Sequence, residues 1–230
     1  TRQIEMKGEQ QKRVMIDEYV ARKLPIQKIG LATGYGWHDD PRRLAFMLSR
    51  YKFVAKMLDG RKHVLEVGCG DGFGTRIVAQ CVDKITAVDF DPDWIASAVD
   101  TADPKFNIGF HEADLLEGQV AGDFDAVFAL DVVEHITQEN EERFLLNCIQ
   151  GLIDDGVCII GMPSLESQVY ASEGAKRGHV NCKTQEELKF LMGKFFRNVF
   201  MFSANDEMIH TGYARMAHYN IALCCGKIKL

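Results

Sequence analysis

The stretch KHVLEVGCGDGFG at 62–74 sets an apolar run and Glu66 ahead of four glycines in seven positions: Gly68, Gly70, Gly72 and Gly74. Glycine turns tightly and lets a ligand approach the backbone, so the loop suits a small molecule held against main-chain amides. A Walker-type phosphate loop needs a terminal Gly-Lys followed by Ser or Thr. Here Gly74 runs into Thr75-Arg76, and the lysine is missing, which disfavours ATP hydrolysis. The glycines alone leave a dinucleotide open. Glu66 and Asp71, however, load the loop with negative charge, which opposes a pyrophosphate and suits a ligand bearing an amine or a sulfonium.

From about residue 61 the chain alternates short apolar strands with helical segments. HVLEV (63–67) reads as the first strand, and GTRIVAQCV opens the first helix after the glycines. KITAVDF (84–90) reads as the second strand, followed by a helix in DPDWIASAV with Asp91 as its cap and Pro92 at its first position. FNIGFHEADLL (106–116), FDAVFALDVVEH (124–135) and GVCIIGMP (156–163) read as the third to fifth strands, the fourth leaving the sheet near Leu130. TQENEERFLLNCIQGL is an amphipathic helix with Thr137 and Asn140 as candidate caps. TQEELKFLMGKFF (184–196) begins with a Thr184–Glu187 capping box. Two late strands follow near NVFMFS (198–203) and AHYNIALCC (217–225), with 204–216 as a loop between them. Repeated βα units predict a mostly parallel sheet with helices on both faces and a ligand at the carboxyl ends of its strands. Residues 1–60 read as an N-terminal helical or lid extension and 61–230 as the ligand-binding domain. Within the extension, DDPRRLAFMLSRYKFVAKML is expected to lie across the sheet, and GLATGYGWHDD to form an approach loop.

A chain of 230 residues is long enough for one well-buried α/β core. Its formal charge of −6 argues against a broad nucleic-acid surface, which needs clustered positive charge. The apolar runs fall short of the roughly 20 residues that span a bilayer, so no membrane partner is expected. TRQIEMKGEQQKR carries no apolar signal core, and Thr1 in place of a methionine implies a processed or trimmed start. Seven cysteines without a CxxC pair read as reduced, buried thiols of a cytoplasmic protein rather than a zinc ribbon or disulfide scaffold.

Across residues 45–225 the chain resembles the class I S-adenosylmethionine-dependent methyltransferases of small-molecule type. The resemblance rests on E66-V-G-C-G-D-G-F-G74, on Asp89 ending the second strand, on Asp114 after the third, and on D131-V-V-E-H135-I. It implies an α/β Rossmann-like fold, a mostly parallel seven-stranded sheet with an antiparallel late strand and flanking helices. It implies S-adenosylmethionine as cofactor. Glu66, Gly68, Cys69, Gly70 and Gly72 would hold the methionine part, and Asp89 the ribose hydroxyls. Phe90 would line the adenine pocket, Asp114 would accept from the adenine amine with Leu115 packed nearby, and Leu130 and Asp131 would flank the methionine end.

Methyl transfer from a sulfonium is an in-line displacement, so the protein mainly aligns the acceptor and removes its proton. Histidine suits that task near neutrality. His179, in KRGHVNCKT before a helix, and His135, after the fourth strand, are the candidate catalytic residues. Asp131, Glu134, His135 and His179 also resemble the E-x-x-E-H…H magnesium site of small-RNA 2′-O-methyltransferases, with Asp131 in place of the first glutamate. A metal-free base is favoured over magnesium. Tyr35, Trp37, His38, Arg177, His210, Tyr213 and Arg215 are candidate substrate contacts, with Lys176 beside Arg177. The expected reaction is O-methylation of a small polar metabolite, anionic acceptors and sugar derivatives included. N-methylation, a metal-assisted reaction and a non-catalytic partner protein are the alternatives, and no oligomeric state follows from the sequence.

Overall fold

The computed structural model of the chain describes residues 13, 14, 16, 17, 20–22 and 27–229. Most of the first 26 positions of the expected extension therefore lie outside the described residues. Two helices lead into the sheet, α1 (Leu31–Asp39) and α2 (Arg42–Met57). Then come β1 (Val64–Val67), the short α3 (Thr75–Val78), β2 (Ile85–Asp89), α4 (Pro92–Asp100), β3 (Ile108–Glu112) and β4 (Phe124–Leu130). They are followed by α5 (Glu141–Ile149), β5 (Leu152–Pro163), α6 (Glu173–Gly178) and α7 (Gln185–Met192). The chain closes with β6 (Phe196–Asn205), β7 (Met208–His210) and β8 (Tyr219–Lys227). Among the described residues no helix is long and apolar enough to cross a membrane.

The strands form one sheet in the order β3-β2-β1-β4-β5-β8-β6-β7. β1 to β5 are parallel, and β8 runs antiparallel between β5 and β6. This is the expected Rossmann-like architecture, a mostly parallel sheet with late antiparallel strands, with eight strands where seven are expected from sequence. The eighth is β7, which pairs with the end of β6 through Ser203–His210 and Asn205–Met208. The segment 204–216 is thus partly a hairpin. Its turn places Asp206 at φ 51, a left-handed conformation that aspartate tolerates better than most residues.

Strand parity decides which helices each face meets. Leu65 and Val67 of β1, with Val127 and Ala129 of β4, pack toward Phe144 and Leu145 of α5 and Leu188 and Leu191 of α7. Val64, Ala126, Phe128 and Leu130 belong to the other face, against Tyr51, Val54 and Ala55 of α2 and Val78 of α3. Both layers are buried, as the near-continuous apolar strands require.

Local signals explain most boundaries. Asp91 caps α4 by accepting from the Asp93 amide, with Pro92 at its first position. Thr184 and Glu187 form the reciprocal capping box of α7. Neither Thr137 nor Asn140 caps α5 through its side chain; Asn140 already has helical backbone angles and spends its amide on Thr137. GLATGYGWHDD is not a loop, since Leu31–Asp39 is helical. β3 is shorter than 106–116 and ends at Glu112, which leaves Asp114 in the following turn. Thr184→Ala should cost about 1 kcal/mol of stability. Urea titration checks this, with the midpoint falling and the slope unchanged.

Candidate active site

The carboxyl ends of β1 to β4 surround a cleft of about 740 Å³, where strand order reverses between β1 and β4. Gly68, Cys69, Gly70, Asp89, Phe90, Asp114, Leu115, Leu130, Asp131 and His135 all line it. The glycine loop turns through left-handed angles, φ 77 at Gly68 and 53 at Gly70. A Cβ on Gly68 would lie 2.2 Å from the Val132 side chain, so only glycine lets the first and fourth strand ends approach. Gly72 does not line the cleft; its Cα hydrogens face the Phe110 ring.

Asp89 ties this loop to the end of β2. Its carboxylate accepts from the Gly70 amide at 2.9 Å and from the Asp91 amide at 3.1 Å. Beside it Phe90 is 70% exposed, a large aromatic surface open to a flat ligand. Asp114 is exposed in its turn, which it closes by accepting from the Leu116 amide at 2.8 Å. Trp94, also a lining residue, had no signal beyond an aromatic in an amphipathic helix.

Glu66 is not in the cleft. It shares the face of Val64, so it points beneath the loop, where the Tyr51 hydroxyl donates to Oε1 at 2.8 Å. Oε2 has no hydrogen-bond partner among the described residues. Burial raises its pKa to about 7, against the partial relief of its hydrogen bonds.

Asp131 follows β4 at φ 58, and its carboxylate receives Nη1 of Arg50 at 2.8 and 2.9 Å. The Arg50 guanidinium stacks 3.6 Å from the centre of the Tyr219 ring. Arg50 was not among the expected site residues. The signal was present: Met47, Tyr51, Val54 and Leu58 recur at helical spacing, and Arg50 lies on that same inward stripe.

The two candidate histidines meet, with ring centres 5.3 Å apart. His135 Nδ1–H donates to the Gly178 carbonyl at 2.9 Å, and His179 Nδ1–H donates to Gln168 Oε1 at 2.9 Å. Each ring therefore presents Nε2 as its basic nitrogen. Burial and the neighbouring His135 hold the His179 pKa below the ordinary imidazole value. Glu134 lies beside them, buried, with neither carboxylate oxygen hydrogen-bonded among the described residues. Burial and then the charge of Asp131 push its pKa well above the usual carboxylate range. Glu134, His135 and His179 offer ligand atoms within 4.8 Å of one another. Asp131 is absent from this group, being held by Arg50.

The other expected substrate contacts lie outside the cleft. Tyr35 and Trp37 are exposed on α1, with Tyr35 beside a separate groove against α4, and His38 is in the last turn of α1. Arg177 is exposed at the end of α6. His210 is tied within its hairpin, donating from Nε2 to Asn205 at 2.7 Å and accepting the Gly212 amide at Nδ1. Tyr213 is exposed before the turn that carries Arg215. All seven cysteines are free, four of them buried.

A family model described as a methyltransferase domain matches residues 64–156. A ubiquinone biosynthesis O-methyltransferase of Rickettsia canadensis is 30% identical over 139 residues, 57% of this chain and 55% of that protein. For a counterpart from Caulobacter sp. the chain covers 39% of its length, so it spans about half or less of these relatives. Among solved structures, the N-methyltransferase NodS from Bradyrhizobium japonicum with S-adenosylhomocysteine superposes with a TM-score of 0.62 at 18% identity, over 84% of this chain and 92% of that one. The methyltransferase domain of bacterial CtHen1 gives 0.64 at 16%, over 79% and 97%.

Glu66 makes stability depend on pH. Its folded pKa of about 7 lies above the unfolded value, so the folded state keeps a proton that the unfolded chain sheds. The stabilisation is complete below pH about 4.5 and fades by pH about 7, amounting to roughly 3 kcal/mol. Glu66→Gln should lack this component. Denaturation across that window should show wild-type stability falling relative to the variant as pH rises.

Proposed function

This chain carries a class I S-adenosylmethionine-dependent methyltransferase domain, and from that premise we propose that it O-methylates a small polar metabolite. The residues around the cleft suit the cofactor: a glycine loop open to close approach, the Asp89 carboxylate, the exposed face of Phe90 and Asp114 in its turn. When bound, S-adenosylmethionine supplies a methyl group on a good leaving group. Asp89 would accept from ribose hydroxyls, Asp114 from an adenine amine, and Leu115 would pack beside it.

The observation that carries the acceptor chemistry is the paired orientation of His135 and His179. Each Nδ1–H is fixed on a carbonyl oxygen, so Nε2 is free to take a proton. His179 is the stronger candidate base, since its depressed pKa keeps it neutral at pH 7. An acceptor hydroxyl placed against it would pass its proton to Nε2, leaving the acceptor oxygen as the nucleophile. Tyr35, Trp37, His38, Arg177, Tyr213 and Arg215 would act, if at all in this reaction, through movement of the elements that bear them toward the cleft. An amine acceptor would need the same alignment and less proton removal, which makes N-methylation the nearest rival.

A second reading has an observation of its own. The buried Glu134 carboxylate has no hydrogen-bond partner among the described residues, and the two imidazoles have their Nδ1 atoms anchored as metal-bound histidines usually do. Glu134, His135 and His179 would hold a divalent cation, which would lower the pKa of an acceptor hydroxyl. Asp131 would contribute only by leaving Arg50, so a four-ligand set is not the favoured form.

Calorimetry should show saturable binding of S-adenosylmethionine and S-adenosylhomocysteine in preference to NAD. Asp89→Ala should weaken that binding about 10- to 100-fold. Saturable NAD binding with no response to either methionine-derived nucleotide would sink the cofactor reading. Isotopically methyl-labelled cofactor supplied with a metabolite extract identifies the product and separates O- from N-methylation.

His179→Ala should lower turnover about a hundredfold or more with cofactor affinity unchanged. Insensitivity of the wild type to chelator supports the metal-free base, whereas loss on chelation and recovery with magnesium supports the cation. Unchanged turnover in His179→Ala removes the residue from both roles.

A further inference from the structure

We propose that Asp71 is a positioning residue that clamps α1 over the cofactor cleft, so that seating of α1 and cofactor binding form one linked equilibrium. The inference rests on the cofactor reading above and concerns a carboxylate that no part of that reading uses. Asp71 sits in the glycine loop at the cleft wall, 5% exposed. Its Oδ2 accepts the Thr33 amide at 2.7 Å, and its Oδ1 accepts the Thr33 hydroxyl at 3.0 Å. Thr33 is itself buried.

The helix it holds has little reason to form alone. α1 reads LATGYGWHD, with glycines at 34 and 36 and no acidic residue in its first turn. Its N-cap is Gly30, which offers no side chain to the first amides. Nine residues with two glycines are too few and too poor in propensity for a stable helix in water. The acceptor that a capping serine or aspartate would supply comes instead from Asp71, about forty positions along the chain. A carboxylate there also opposes the positive end of the helix. Gly30 makes the approach feasible, because a Cβ at that position would fall 2.5 Å from Asp71 Cβ.

Two further observations place this contact in the function. Ala32 and Thr33 line the cleft together with Gly70 and Asp71, so α1 is one of its walls. Asp71 is the next residue after Gly70, whose amide is fixed by Asp89. Loop, ligand and helix therefore share one short segment. Other polar ties of α1 and its lead-in lie at exposed positions, where such contacts hold weakly: Leu31 N–H on Ser97 Oγ at 3.0 Å, Lys28 with Asp100 at 3.1 Å, Arg76 with Gln27 at 3.2 Å and Arg43 with Asp39 at 3.1 Å among them. Release of the Asp71–Thr33 contact would free the wall, which gives the cofactor its entry path.

The test uses the whole chain with S-adenosylhomocysteine as probe, reading affinity by calorimetry and hydrogen exchange over residues 31–39. In the wild type the probe should slow exchange across that segment. Asp71→Ala should weaken binding about tenfold and abolish the slowing. Asp71→Asn, which keeps the shape and one acceptor, should lose about threefold, and Thr33→Val a similar amount. Gly30→Ala should also weaken binding, by pushing α1 from the loop. Unliganded melting temperatures should stay close to wild type, whereas a merely structural role would lower them and leave affinity alone. Wild-type affinity and wild-type slowing in Asp71→Ala would overturn the clamp while leaving the cofactor reading intact. If Asp71→Ala does not fold, unchanged affinity in both Asp71→Asn and Thr33→Val overturns it equally. A wild type that takes up no probe overturns the cofactor reading, and the clamp with it.

Discussion

Carboxyl groups crowd the carboxyl edge of the sheet, and the cleft depends on how those around it are accommodated. Like charges brought together in a partly dry site repel strongly, so each needs a partner or a proton. Asp131 takes Arg50, Asp89 takes the amides of Gly70 and Asp91, and Asp71 takes the start of α1. Asp114 stays exposed and closes its own turn. Glu66 and Glu134 are left buried, and burial shifts both toward the protonated form.

Arg50 has a wider effect than its single ion pair. It comes from α2, crosses to the end of β4 and stacks on Tyr219 of β8. It thereby links a helix and two strands distant in sequence and fixes the Asp131 carboxylate just past the end of β4. Removing the arginine would leave the Asp131 carboxylate without its cation beside the buried Glu134, the costly half of a broken ion pair. The 3-10 turn that follows, Val133–His135, then carries Glu134 inward and His135 to the cleft.

The histidines show a parallel division of labour. Neither ring is positioned by the element that carries its partner oxygen alone. Gly178 ends α6 and precedes His179, while Gln168 belongs to a separate 3-10 turn, Glu166–Tyr170. The amides of Val180 and Asn181 both donate to the Glu134 carbonyl, which draws the His179 segment against the end of β4. Two loops are thus sewn together around a pair of basic nitrogens, and the orientation of both rings is a property of the seam.

What was legible in the sequence was whatever depends on neighbours in the chain. Strand and helix alternation, the Asp91 and Thr184 caps, the glycine loop and the placement of Asp89 and Asp114 after their strands all follow from local pattern, and the fold follows from those. Even the inward turn of Glu66 was present in its parity with Val64, though a motif reading overrode it. Side-chain partnerships across the fold were not legible. Asp71 reads as a charge facing a ligand until α1 is found lying on it, and α1 reads as a loop because its stabilising acceptor lies about forty positions away. Arg50 and Asp131 are separated by 81 positions, and nothing local couples them. His210 reads as a candidate substrate contact, yet contacts within the hairpin occupy both its nitrogens. Local propensity is written residue by residue, whereas the partner of a buried charge is chosen only when distant segments are brought into contact and water is excluded between them.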